Sequence, residues 1–237
     1  MKYIKNIVMP DRLLLCWQSL KNIKRSRFIV GELVKESDSY KLNYFTENED
    51  FKKATDLGFI GYPAFPYKGS EKTRCFDNNV IGTFQRRLPP SRRRDYSLYL
   101  ELRGLKPESC PDDFCLLGYT GAKIENDGFE LIHPFENVGH AFQFILEIAG
   151  FNRASEVAEK DLKLESEVEF SFEPDNENDP GAVVIMQDGK KLGYVDHGRV
   201  SIFHCYIKAG RTVKGEIIRK NGTPDRPQIY VYVSVSH

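Results

Sequence analysis

No apolar run in this 237-residue chain approaches the length that crosses a bilayer, so neither a membrane span nor a membrane partner is expected. The opening MKYIKNIVMPDRLLLCW lacks the layout of a signal peptide. The five cysteines (Cys16, Cys75, Cys110, Cys115 and Cys205) are odd in number and widely scattered. Together these features lead us to expect reduced thiols in the cytoplasm. The chain has no Walker loop, no nucleophile elbow and no dinucleotide fingerprint, and we see no internal repeat or low-complexity segment. Zinc needs four ligands at workable spacing. Cys110 and Cys115 have no second pair set for a finger, and His204 and Cys205, adjacent on one expected helix with His197 beside it, face different ways. No catalysis, metal or cofactor is therefore expected.

What is present is an ordinary globular composition, 41% apolar and 29% charged with a mean hydropathy of −0.46, in a length that holds one large domain or two small ones. The formal net charge of zero hides a segregation. Residues 1–110 carry 21 Lys and Arg against 13 Asp and Glu. Residues 111–184 carry 4 against 17, and residues 185–237 carry 9 against 4. Basic ends around an acidic middle point to two modules with separate surfaces for acidic partners, although excesses spread over solvated faces would read the same way.

In the first module LLLCWQ and RFIVGELV read as strands flanking the basic turn SLKNIKRS, and KLNYF alternates as a half-buried strand does. LGFIGYPAFPYKG is too proline-rich for a helix and is expected to run over the surface as an ordered loop. Ser91 is placed to cap a helix carrying Tyr96, Tyr99 and Leu100, with Gly104 as its terminator. Prolines and acidic residues mark 110–132 as a linker between a module at 1–109 and another at 133–237.

In the second module HAFQFILEIAG reads as a strand, with a helix as the alternative, and residues 153–162 as a short helix. Strands follow at Val168 to Phe172, at Ala182 to Met186 and in KLGYV. Asp196 should cap a helix with Val200, Phe203 and Ile207 on one face, ended by Gly210. TVKGEIIR and QIYVYVSV are expected to pair through a loop starting at Asn221-Gly222, with Ile229, Val231, Val233 and Val235 pointing one way and Tyr230 and Tyr232 the other. The fold class is α+β: a small mixed α/β module, then a small barrel or strongly curved sheet plugged by two short helices.

Between two of these strands, FEPDNENDPG puts four carboxylates and two asparagines into seven residues, Glu173 to Asp179. Asp175, Glu177 and Asp179 alternate like the first ligands of an EF-hand, but Pro180 stands where that loop needs glycine and Met186 where it needs a bidentate glutamate. A turn stabilised by Asn and Asp side chains accounts for more of the pattern.

This run, EPDNENDPGAVVI, with KKLGYV and a capped helix after it, resembles the HIRAN domain. The signature there is an Asn/Asp/Pro loop, an Ala-Val/Ile step and a Gly-Tyr/His-Leu/Val strand. Here it is Asn176, Asp179, Ala182-Val183 and Gly193-Tyr194-Val195, over most of residues 135–237. The resemblance implies a barrel related to the OB and SH3-like classes that binds nucleic acid, in some helicases the free end of single-stranded DNA. By position, Asp179 matches the acidic residue available to a terminal hydroxyl. Asn178 falls where end-binding members carry a stacking aromatic, a departure that removes about 1–3 kcal/mol of base stacking. Lys190, Lys191, Tyr194, His197 and Arg199 are expected near the same face as phosphate contacts; the plainer reading is a packed tyrosine among solvated cations.

A second cluster, Arg86, Arg87, Arg92, Arg93 and Arg94, puts five guanidinium groups into nine residues, suited to phosphate or carboxylate. An exposed basic turn at a helix start is the bland alternative, though cations are unfavourable there. RFIVGELV, SYKLNYF and FDNNVIGTFQRRLPPSRRRDY are similar to the small N-terminal subdomain of HipA-type serine/threonine kinases, over about residues 12–105. No kinase core follows: there is no glycine-rich loop, H-R-D or D-F-G element. The resemblances together imply a non-catalytic regulator that binds DNA through the HIRAN half and uses the arginine cluster to hold a HipA-type kinase, as an antitoxin does. The alternative is a protein-interaction antitoxin without DNA affinity.

Overall fold

The computed structural model describes residues 2–20, 26–37, 39–109, 111–124, 126–177 and 179–237, apart from the Lys72 side chain. Its chain divides into two compact units, Met9–Leu98 with Cys110–Phe135, and Met1–Val8 with Tyr99–Ser109 and Glu136–His237. No helix among the described residues is long and apolar enough to cross a membrane.

The first unit is built on strands β1 (Arg12–Gln18), β2 (Arg27–Lys35), β3 (Tyr40–Tyr44), β4 (Gly61–Tyr62), β5 (Phe65–Pro66), β6 (Cys75–Phe76) and β7 (Phe129–Ile132). Five of them form an antiparallel sheet in the order β6-β3-β2-β1-β7, while β4 and β5 pair as a small hairpin. The helices are α1 (Glu49–Asp56), α2 (Val80–Gln85), α3 (Tyr96–Glu101), which runs past the unit's edge, and α4 (Asp113–Thr120).

The Gly/Pro/aromatic stretch expected on the surface lies in this core instead. Phe59, Tyr62 and Phe65 are all buried. The tight hairpin can enter the interior because the Tyr44 hydroxyl accepts from the Tyr62 amide at 2.6 Å and donates to the Phe65 carbonyl at 2.7 Å. Burial pushes the Tyr44 phenol well above its ordinary pKa, so it stays a neutral donor.

Residues 110–132 are not a linker. Asp112 accepts from the Cys115 amide at 2.8 Å and caps α4, which buries Phe114 and Leu117, and Gly121, at φ 72°, ends it. β7 then adds to the free edge of β1, in the register Leu14↔Ile132 to Trp17↔Phe129. Asp112, one of the acidic residues on which the linker reading rested, is a helix cap. Ser91 is not a cap, because α3 starts only at Tyr96.

Arg87 also departs from its expected role. Its side chain is 2% exposed. The guanidinium donates to Asp127, to the Ala122 carbonyl at 2.8 Å, to the Phe129 carbonyl at 3.1 Å and to the Tyr62 hydroxyl at 3.3 Å. It is a buried staple and cannot reach a partner.

The second unit contains β8 (Phe142–Glu147), α5 (Phe151–Ala154), β9 (Glu167–Phe172), β10 (Val183–Gln187), β11 (Lys190–Tyr194), α6 (Val200–Lys208), β12 (Thr212–Thr223) and β13 (Arg226–Ser236). The sheet order is β11-β10-β9-β12-β13-β8, antiparallel at every step. Beyond β8, Ala149 and Tyr194 exchange backbone hydrogen bonds of 2.8 and 2.9 Å, bringing the two ends of the sheet together. Ile229, Val231, Val233 and Val235 point inward with Phe142, Phe144, Ile185 and Leu192, and all are buried.

Several local details differ from expectation. Residues 153–162 contain the end of the four-residue α5 and a 3₁₀ turn at Glu159–Asp161, not one helix. The β12–β13 turn falls at Pro224-Asp225, between the paired Thr223 and Arg226, because Asn221 and Gly222 are still in the ladder. A 3₁₀ turn, His197–Arg199, precedes α6 and shifts its phase, so its buried residues are Ile202, Phe203 and Tyr206.

Residues 2–8 and 99–109 belong with this unit, not with a module at 1–109. The Ile4 amide donates to the Gly104 carbonyl at 2.7 Å, and the Lys5 and Asn6 amides donate to Gln143 Oε1 at 2.9 and 3.1 Å. The Tyr232 hydroxyl donates to the Tyr3 carbonyl at 3.0 Å, and Arg219 donates to the Leu102 carbonyl. The outward Tyr232 of β13 thus meets chain from far away in sequence.

Arg87→Ala is expected to destabilise the first unit by about 1–3 kcal/mol or more, the cost of leaving the buried Ala122 and Phe129 carbonyls without this donor. Chemical denaturation monitored by Trp17 fluorescence checks this, and Arg86→Ala on the exposed neighbour should change little.

Candidate functional site

The loop between β9 and β10, residues 173–182, is held by its own polar side chains. Glu173 lies at the centre. One carboxylate oxygen accepts from Lys191 Nζ at 2.8 Å, and the other accepts from the Tyr194 hydroxyl at 2.8 Å and from Asn176 Nδ2 at 2.6 Å. Asn176 Oδ1 in turn accepts from the Asp179 amide at 3.1 Å, and Asp179 Oδ1 from the Gly181 amide at 2.9 Å. The chain of bonds runs from the strands out to the loop's tip. The reading of this segment as a side-chain-stabilised turn therefore has a specific geometry. Among the described residues no group of three or more His, Cys, Asp or Glu could hold a metal ion.

Donation from Lys191, then Asn176 and Tyr194, holds the Glu173 carboxyl at about 2, against an ordinary value of 4.5.

Asp179 and His197 form the exposed end of this network. The His197 Nδ1 donates to Asp179 Oδ2 at 3.0 Å, and the two side chains are 41% and 35% exposed. Nearby, His204 Nε2 donates to the Gly181 carbonyl at 2.7 Å, and its ring stacks on Phe172 with centroids 4.4 Å apart. Phe172 and His204 were absent from the sequence-derived set. The available signal was an aromatic at alternate position to Val168 and Phe170, just where the strand runs out.

The other expected residues divide. Tyr194 and Lys191 belong to the network, with the Lys191 ammonium 4.3 Å from the Tyr194 ring centroid. Tyr194 is thereby a packed anchor. Lys190 is exposed but sits at the opposite end of β11 from Tyr194, about 13 Å away at the usual rise per residue. Arg199 does not face a ligand: it is 9% exposed and pairs with the buried Asp196 at 2.7 Å. That same pairing replaces the cap expected of Asp196, which makes no side-chain capping bond. Asn178 lies outside the described residues. In the first unit Arg86, Arg92, Arg93 and Arg94 are exposed, with Arg93 held to its neighbour Asp95.

The signature glycine has a structural reason. Gly193 has φ 148°, and a Cβ there would lie 2.6 Å from the Ala149 carbonyl oxygen and 2.7 Å from Ile148 Cγ2. Only glycine lets β11 approach the end of β8 closely enough for Tyr194 to bond Ala149. A family model, HIRAN domain, matches residues 141–236. This segment is a HIRAN domain. The HIRAN domain of human HLTF is similar in structure, at 12% identity and a TM-score of 0.34, over 41% of this chain and 79% of that one. A protein from Lactobacillus plantarum is similar at 15% identity and a TM-score of 0.34, over 40% of this chain and 96% of that one. No curated protein matches the chain. The kinase-subdomain resemblance of residues 12–105 finds no support in these comparisons.

Two outcomes are expected of the HIRAN unit. Gly193→Ala combines a strained φ, worth about 1–3 kcal/mol on its own, with backbone overlap, and should lower the melting temperature markedly. Protonating Glu173 releases the loop. Because its folded pKa is depressed, its contribution to stability is complete above about 4.5 and is lost as pH falls through about 2. An NMR titration of the amides of residues 173–182 should show a transition near pH 2, as the folded value of about 2 requires, and that transition should be absent in Glu173→Gln.

Proposed function

We propose that this protein is a non-catalytic nucleic-acid-binding protein whose HIRAN domain holds single-stranded DNA, with the terminal hydroxyl donating to Asp179. The observation that carries the reading is the coincidence of the family match at 141–236 with an Asp179 carboxylate held at the exposed tip of a pinned loop. An ionised carboxylate is a strong acceptor for a hydroxyl, and charge-assisted bonds of this kind contribute about 1.5–3 kcal/mol. His197, beside it, supplies a donor.

The electrostatics favour a local contact over a broad one. Glu173, Asp175, Glu177 and Asp179 crowd the loop, Lys191 is engaged by Glu173, and Arg199 by Asp196. Few cations remain for phosphates. The salt dependence of binding should therefore be shallow, about 0.7 in log–log slope for each phosphate neutralised on a single strand, for one or two phosphates.

Fluorescence anisotropy with oligonucleotides bearing free or blocked 3′ ends, at two salt concentrations, tests this. Tight binding to the free end, weakened about tenfold or more in Asp179→Asn, is the expected result. Asparagine keeps an acceptor for the Gly181 amide and removes the charge. Lys190→Ala should leave affinity nearly unchanged. Equal affinity for free and blocked ends, or none for either, would overturn the reading.

A further inference from the structure

Phe172 is the one exposed residue among the described phenylalanines, tyrosines and tryptophan, at 37%. Its place explains the exposure. Val168, Phe170 and Phe172 alternate on the same side of β9. Val168 is buried, and Phe170 packs on Phe203 of α6 with centroids 4.7 Å apart and against Gly215 of β12. The β9–β12 pairing stops at Gly215↔Val168, while the β9–β10 pairing continues to Phe172↔Val183. Phe172 is thus the last member of an inward row, carried past the strand that would have covered it.

A second ring lies against it. The His204 imidazole stacks at 4.4 Å with an interplanar angle of 22° and is fixed in that plane by donating from Nε2 to the Gly181 carbonyl. Gly181 also donates its amide to Asp179 Oδ1, and Asp179 Oδ2 accepts from His197. One short polar path therefore links the stacked pair to the exposed carboxylate. A Cβ at Gly181 would lie 3.2 Å from Asp179 Oδ1 and 3.8 Å from His204 Nε2, which shows how close the aromatic and acidic groups stand.

We propose that the Phe172–His204 pair is the stacking platform for an unpaired nucleobase beside the strand end held at Asp179. A flat apolar surface with its plane fixed, bordered by a carboxylate and an imidazole, has the chemistry that a base and its sugar require: a π-face for the ring and hydrogen-bonding groups at its edge. The pair supplies a stacking surface in a chain that has asparagine at position 178. This inference rests on the nucleic-acid reading above and adds to it the residues that hold the base.

The test uses the full chain and a short single-stranded oligonucleotide with 2-aminopurine as its 3′-terminal base, a fluorophore that stacking quenches. Phe172→Leu keeps an apolar side chain at the edge of the curled sheet and removes the aromatic face. His204→Gln keeps a donor for the Gly181 carbonyl and removes the second ring. Thermal melting reports whether either variant has lost the fold. The expected result is quenching by the wild type, with affinity weakened about 5- to 100-fold and quenching lost in Phe172→Leu at an unchanged melting temperature. Phe172→Trp should retain both. If the wild type binds and both variants bind and quench as it does, the platform is wrong while the nucleic-acid reading stands. If the wild type binds no oligonucleotide, both fall together.

Discussion

The two ends of the curled six-stranded sheet meet at one pair of residues, Ala149 and Tyr194, whose backbones exchange two hydrogen bonds at the seam between β8 and β11. Tyr194 has a second task. Its hydroxyl donates to Glu173, so the residue that closes the sheet also anchors the loop that carries Asp179. The site depends on the seam. The seam in turn depends on Gly193, where a side chain would enter the Ala149 carbonyl. A bulge, in which β10 pairs Ile185 with Gly193 and then Met186 with Lys191, sets that approach.

The loop illustrates how a dense acidic segment is ordered by hydrogen bonds from its own side chains and those of β11. Four carboxylates in seven residues would repel one another if they shared a surface. Instead Glu173 faces Lys191, Tyr194 and Asn176, while Asp179 turns to Gly181 and His197. Their partners divide the charge into separate environments. The Glu173 proton affinity is lowered accordingly, so at neutral pH the network is fully formed.

The two units use aromatic residues in different ways. In the first, Tyr44, Phe51, Phe59, Tyr62, Phe65, Phe84 and Phe129 form a continuous interior, with edge-to-face and tilted contacts such as Tyr44–Phe59 at 5.8 Å and Tyr62–Phe84 at 4.5 Å. Arg87 and the Tyr44 hydroxyl satisfy the backbone groups that such packing traps. In the second, Phe142, Phe144 and Phe203 fill the hollow of the curled sheet, and Phe172 stands at its edge.

The longer strands, β1 to β3 and β8 to β13, were legible in the sequence, because two-residue alternation follows directly from burying one face of a sheet; the short β4, β5 and β6 and the wholly buried β7 were not, since two to four residues show no such alternation. LLLCWQ, KLNYF and the run from Ile229 to Val235 lie in strands, with Leu13, Leu42 and Val231 buried. The HIRAN signature was legible too, since its loop residues and its glycine-tyrosine strand stand together at a set separation in the chain. Unit boundaries were not: residues 2–8 and 99–109 join the curled sheet through Gly104, Gln143 and Tyr232, partners as much as 229 positions distant. Nor could composition separate Arg87, buried on Asp127, from its neighbours in a basic run, or Arg199, buried on Asp196, from solvated cations. Sequence by itself determined the long strands and which loop carries the signature. Tertiary structure alone decided which charges are buried, and which aromatic stands at the sheet's edge, because both depend on groups brought together from distant parts of the chain.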